Sequence, residues 1–147
     1  MAKKKKQGAG SVFLRFLFVL YVAAMIWLLF GQRWGTELYR SINLEPLVTI
    51  KLYWKLLQGS DAYLVRHAFI NLVGNVVMFI PLGFFQPYLS PKLRTWLKTM
   101  LFTTVLILTG EVVQYLTMLG SCDVDDLILN LAGAWIGYIL WRITRRK

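Results

Sequence analysis

Four stretches of this chain are apolar over about the length a helix needs to cross a bilayer. They fall at about residues 12–30, 67–85, 97–119 and 124–141, against the roughly 20 residues that span a hydrocarbon core of about 30 Å. Backbone N–H and C=O groups find no water in hydrocarbon, so runs of this length are helices, which satisfy those groups internally. The expected fold is an all-α integral membrane protein, a four-helix transmembrane bundle forming one domain over residues 1–147. Composition agrees, with 57% hydrophobic and 16% charged residues, more apolar and less charged than soluble domains.

The formal net charge of +10 would suggest nucleic acid in a soluble protein. Here the Lys and Arg sit mostly at the ends and in loops, where they set topology and meet anionic headgroups. Membrane lipids are therefore expected partners and nucleic acid is not. Lys3 to Lys6, Arg15, Lys92, Arg94 and the closing Arg142, Arg145, Arg146 and Lys147 share one side if four helices cross. The positive-inside rule makes that side cytoplasmic, with both termini there. The apolar run after Lys6 is too long for a signal-peptide core and no small-x-small cleavage site follows, so it reads as a retained span. The single cysteine, Cys122, excludes an internal disulfide.

The first loop, about residues 31–66, then faces outside. Asn43-Leu44-Glu45-Pro46 reads as a helix start, with Pro at the first helical position. Leu47, Ile50, Trp54 and Leu57 follow at helical spacing, with Lys51, Lys55 and Gln58 on the other face. This is the pattern of an amphipathic interfacial helix, and equally of a helix covering the bundle. Pro81 and Gly83 are expected to end or kink the second span.

Against this apolar background, Glu111, Asp123, Asp125 and Asp126 stand out. A carboxylate at the bilayer centre costs roughly 2.5–3.5 kcal/mol even on lenient scales. At about 1.5 Å per residue, Asn71 and Asn75 lie roughly 6 and 12 Å inward from His67, and Glu111 and Gln114 about 13 and 9 Å below the Gly120–Asp123 turn. Asn130 lies roughly 10 Å into the fourth span. Three spans thus bring polar residues to one depth. The spacings His67/Asn71/Asn75, Glu111/Gln114 and Asp126/Asn130 place each set on one helix face. The expectation is a polar pocket open to the outer leaflet. Its four carboxylates have only His67 and Arg66 as basic neighbours, so protons, a bound cation or a cationic group on a ligand must neutralise them. Asp123 fits a helix cap as well as the pocket. The asparagines also suit interhelical hydrogen bonding, and Gly133 and Gly137 suit close packing of helices.

In this order, the pieces resemble the VanZ-like family of small polytopic membrane proteins. They are Asn43-Leu44-x-Pro46, Asn71-x-x-Gly74-Asn75 with Phe79-x-Pro81-Leu82-Gly83, Glu111-x-x-Gln114, Asp123-x-Asp125-Asp126 and Asn130-x-x-Gly133-x-x-x-Gly137. One departure is the turn Gly120-Ser121-Cys122, where members of the family often carry an arginine. The resemblance implies a bacterial cytoplasmic membrane and reduced susceptibility to the glycopeptide teicoplanin.

Three readings of function follow. A non-catalytic membrane protein would use the pocket for a lipid headgroup, a cation or a lipid-bearing glycopeptide. An integral membrane enzyme would act on a phospholipid or lipid-linked cell-wall intermediate, with Glu111 or Asp126 as acid/base or, if a metal is held at all, as its ligand. A proton- or cation-coupled transporter would use the same carboxylates as a relay and would need a homo-oligomer, for instance through Gly133 and Gly137. There is no P-loop, no His-x-x-Glu-His helix and no nucleophile with a paired base. The first reading is therefore favoured, and no cofactor is expected.

Overall fold

The structure, a computed structural model, describes residues 9–31 and 39–145. Lys3 to Lys6, Arg146 and Lys147 lie outside the described residues. Among the described residues, four helices are long and apolar enough to cross a membrane: α1 (Ala9–Phe30), α3 (Ala62–Leu89), α4 (Trp96–Leu116) and α5 (Val124–Arg145). Between them come β1 (Tyr39–Asn43), the short helix α2 (Val48–Leu56) and β2 (Leu119–Asp123), and a 3-10 turn at Pro91–Leu93 links α3 to α4.

The second span does not end at Pro81. Helix α3 runs for 28 residues through both Pro81 and Pro87. Proline removes a donor and crowds the preceding turn, which membrane helices tolerate when neighbours satisfy the backbone. In the turn before Pro81, the Tyr21 hydroxyl of α1 donates to the Met78 carbonyl at 2.7 Å. Near the other proline, Arg94 Nε donates to the Pro87 carbonyl at 3.5 Å. Helix α3 also starts earlier than expected, because Asp61 caps it by accepting the N–H groups of Tyr63 and Leu64.

Helices α3 and α5 meet backbone to backbone. A Cβ on Gly133 would collide with the Val76 carbonyl, one on Gly137 with that of Ile80, and one on Gly83 with that of Ala134. Small residues permit this approach where lipid supplies no hydrophobic drive between helices. Phe79, Leu82, Ile107 and Ala134 form the buried cluster beside it. Gly133 and Gly137 are therefore engaged against α3 within the chain.

The expected tight turn between the last two spans is a strand. Strand β2 pairs in parallel with β1, in register from Tyr39 with Leu119 to Asn43 with Asp123. Parallel strands need a long crossover, here made by α2, α3 and α4 together. The first loop is thereby tied to the α4–α5 junction.

Carboxylates hold that junction. Asp125 is fully buried. Its Oδ1 accepts the Leu47 N–H at 2.6 Å and its Oδ2 the Ile50 N–H at 3.0 Å. It thus sits at the N-terminus of α2, where orphan donors and the helix dipole favour an anion. The arrangement holds Leu47 at φ 68°, a left-handed conformation that costs a non-glycine residue roughly 1–2 kcal/mol. Pro46 accordingly lies in the turn before α2 rather than at its first helical position, since α2 begins at Val48. Asp123 caps α5, its Oδ1 accepting the Asp125 N–H at 2.9 Å. The same Oδ1 accepts from Asn43 Nδ2 at 3.1 Å, and Oδ2 accepts from the Thr49 hydroxyl at 2.7 Å.

Two outcomes test this architecture. Gly137→Leu forces α3 from α5 and lowers the yield of folded protein, whereas Gly110→Ala, with nothing within 4 Å of the added Cβ, is tolerated; fluorescence-detected size exclusion compares the two. Asp125→Ala lowers stability by at least about 1.5–3 kcal/mol, the worth of a hydrogen bond to a charged group. Thermal unfolding in detergent reads this against Glu45→Ala on the exposed turn.

Candidate functional site

Asn75 on α3 and Asp126 on α5 face one another because the glycine contact brings these helices together. Asn75 Nδ2 donates to Asp126 Oδ1 at 2.6 Å. One turn above, Asn71 lies on the same stripe of α3, its Nδ2 donating to the His67 carbonyl at 2.8 Å. From α4, Glu111 is buried and its Oε2 accepts the Asp123 N–H at 3.1 Å. Gln114, three residues on, donates from Nε2 to the Leu29 carbonyl at 2.9 Å. That carbonyl belongs to the last turn of α1, where intrahelical partners run out.

These side chains surround a cavity of about 260 Å³. Asn71, Asn75, Glu111, Gln114, Asp126 and Asn130 line it, joined by Ser121 of β2. Leu28 and Leu29 of α1 and Ile70 and Met78 of α3 form its apolar wall, with Gly74 between. Four helices and a strand therefore enclose what the sequence suggested three helices would. Among the described residues, no Lys, Arg or His contributes to the lining. Asn130 is 4% exposed, and its Oδ1 has no partner among the described residues. A buried acceptor left unmade costs about 1–3 kcal/mol, so water or a ligand donor belongs there.

Three sequence candidates stand elsewhere. Asp125 is engaged by α2 and Asp123 by α5, Asn43 and Thr49. His67 is exposed and packs its ring 5.8 Å from Tyr53 of α2 and 6.4 Å from Tyr63. Because α3 starts early, His67 is more than a turn inside the helix and level with α2; it does not line the cavity, although its Nε2 lies 3.4 Å from the Nδ2 of Asn71, which does. Asn43 and Thr49 had no assigned role in the sequence, although Asn43 begins one of the family pieces. Among the described residues, no group of three or more His, Cys, Asp and Glu could hold a metal ion. Partial burial, and then the charges of Glu111 and Asp123, raise the Cys122 thiol above its ordinary range. It stays protonated and is a poor nucleophile.

Comparison with known proteins bears on the same residues. The family described as VanZ/LLP1 matches residues 15–145. The chain is 27% identical over 143 residues to Protein VanZ of Enterococcus faecium, covering 93% of this chain and 78% of that protein. No solved structure matches it. The stretch matched by the family takes in every helix that lines the cavity and both carboxylate caps, and the chain belongs to the VanZ/LLP1 family.

Proposed function

We propose that this protein is a non-catalytic member of its family that reduces susceptibility to teicoplanin, using the cavity to bind a lipid headgroup in the outer leaflet of the bacterial cytoplasmic membrane. The family match over residues 15–145 carries the reading. Cavity size refines it. About 260 Å³ is below the roughly 300–1,000 Å³ of sites that take drug-sized ligands, so a headgroup fits and a whole glycopeptide does not. The protein would then act on how lipids present themselves to a lipid-bearing glycopeptide, not by sequestering the drug.

The proposed orientation has both termini cytoplasmic, with Arg94, Arg142 and Arg145 at the inner surface. The cavity and the β1–β2 pair then lie on the outer side. Helix α2 would rest at that interface, with Trp54 exposed toward the acyl boundary and Lys51 and Lys55 on the neighbouring face toward headgroups. In a Cys122→Ser background, a membrane-impermeant maleimide added to intact cells is expected to label Ser60→Cys and to spare Lys92→Cys. The opposite pattern inverts the orientation and removes the outer-leaflet role.

Expression of the wild type is expected to raise teicoplanin tolerance severalfold, with a smaller change for vancomycin, which lacks the acyl tail. Glu111→Gln and Asp126→Asn are expected to lose the effect at matched protein levels. Equal shifts for both drugs would overturn the reading.

A further inference from the structure

We propose that a basic cleft between the start of α4 and the end of α5 is a binding site for paired phosphate groups, carried by an anionic phospholipid or by a soluble diphosphate. Asp126 and Arg142 are 16 residues apart on α5, roughly 24 Å at about 1.5 Å per residue. The cleft is therefore separate from the polar cavity, and its test does not depend on any drug phenotype.

Arg94, Arg142 and Arg145 line one hollow of about 460 Å³, within the roughly 300–1,000 Å³ of small-molecule sites. Arg94 is distant in sequence from the other two, and the fold fastens them together. The Tyr138 hydroxyl of α5 donates to the Arg94 carbonyl at 3.0 Å, and the Thr99 hydroxyl of α4 donates to the Leu93 carbonyl at 2.5 Å. The link between α3 and α4 is thus held by α5 on one side and by the first turn of α4 on the other. Tyr138 and Trp141 are buried in the lining, with their rings 5.6 Å apart. The Arg145 guanidinium lies 5.4 Å from the centroid of the Trp141 ring. Stacking of this kind holds the guanidinium by its face and leaves its edge to donate.

Guanidinium groups stay charged and present forks of N–H donors that match phosphate oxygens. No Asp or Glu occurs in residues 62–110 or 127–147, the stretches that supply every lining residue, so these elements bring no carboxylate to the cleft. Thr95, also in the lining, is the N-cap of α4 and makes no side-chain cap hydrogen bond, so the first turn of α4 adds partial positive charge. One phosphodiester carries a single negative charge; three fixed cations are better matched by a group with two. Trp96 is exposed and lines the cleft, and tryptophan is the ring that settles at headgroup level. A lipid is thereby favoured over a soluble anion as the carrier. In the proposed orientation the cleft opens at the inner surface, where basic pockets between helices take such headgroups.

Purified protein in detergent, with no drug present, tests this by native mass spectrometry and thermal shift. The probes are cardiolipin, phosphatidylglycerol and inorganic pyrophosphate. Cardiolipin, with two phosphodiesters, is expected to stay bound and raise the unfolding temperature. Phosphatidylglycerol, with one, should bind about tenfold more weakly or worse, the equivalent of one charge-assisted hydrogen bond. Arg142→Gln, at an exposed position, should weaken cardiolipin binding by about the same factor while keeping its unliganded unfolding temperature, and Arg145→Gln should do likewise. Lys98→Gln removes the same charge from the first turn of α4, but beside Leu101 and Phe102 at a different hollow, and should leave cardiolipin binding unchanged. Pyrophosphate that displaces cardiolipin at equal concentration identifies a soluble diphosphate as the carrier; a requirement for the acyl chains identifies the lipid. Equal weakening by Lys98→Gln and Arg142→Gln would reveal diffuse charge in place of a site and overturn the proposal. Equal binding of the two lipids, or undiminished cardiolipin binding in both folded arginine variants, would overturn it too. A teicoplanin phenotype without cardiolipin or pyrophosphate binding would leave the functional reading standing and this inference refuted.

Discussion

The carboxylate of Asp125 organises one whole end of the bundle. It lies on α5, yet the groups it binds are the N–H donors of Leu47 and Ile50 in the first loop. Asp123 reaches the same loop through Asn43 and Thr49, and its own N–H is held by Glu111 of α4. Hydrogen bonds thus run from α4 through the α4–α5 junction into α2. The parallel pairing of β1 with β2 follows the same path. Without these anions, α2 would begin with orphan donors, and Leu47 would have no compensation for its left-handed backbone.

The second constraint is the closeness of α3 and α5. Because Gly83, Gly133 and Gly137 admit facing carbonyls, these helices leave no space between them over their middle. Toward the Asp125 end, side chains replace glycine contact, and Asn75 with Asp126 marks the change. Helix α1 is peripheral, with none of its span buried. Tyr21 and Gln114 pin it at two points, and its last turn closes the side of the cavity. The cavity is what remains where tight packing gives way to hydrogen-bonded side chains.

The four spans were legible because about 20 apolar residues in a row permit few other structures. Convergence of Asn71, Asn75, Glu111, Gln114, Asp126 and Asn130 was legible from helical spacing and a common depth. The strands were not. Five residues such as Leu119–Asp123 carry no alternation to read, and parallel pairing across three helices leaves no local trace. The placement of Asp125 was hidden for the same reason, since its partners are backbone groups some 75 residues away. His67 was misplaced because the cap at Asp61 added a turn to α3 that hydropathy could not show.

Burial alone would rank these acids misleadingly. Asp125 is the least exposed of the described carboxylates at 0%, ahead of Glu111 at 6% and Asp123 at 8%, yet it is the most completely answered by backbone donors. What separates a structural acid from a candidate binding acid here is whether it lines the cavity, not depth. A helix N-terminus supplies both hydrogen bonds and positive potential, and a carboxylate so placed is electrostatically settled. Glu111 and Asp126 line the cavity instead, beside the Asn130 amide oxygen, which has no donor among the described residues. The helix dipoles that stabilise the junction therefore account for Asp125 and Asp123, and Glu111 and Asp126 stand apart as the two acids that line the cavity.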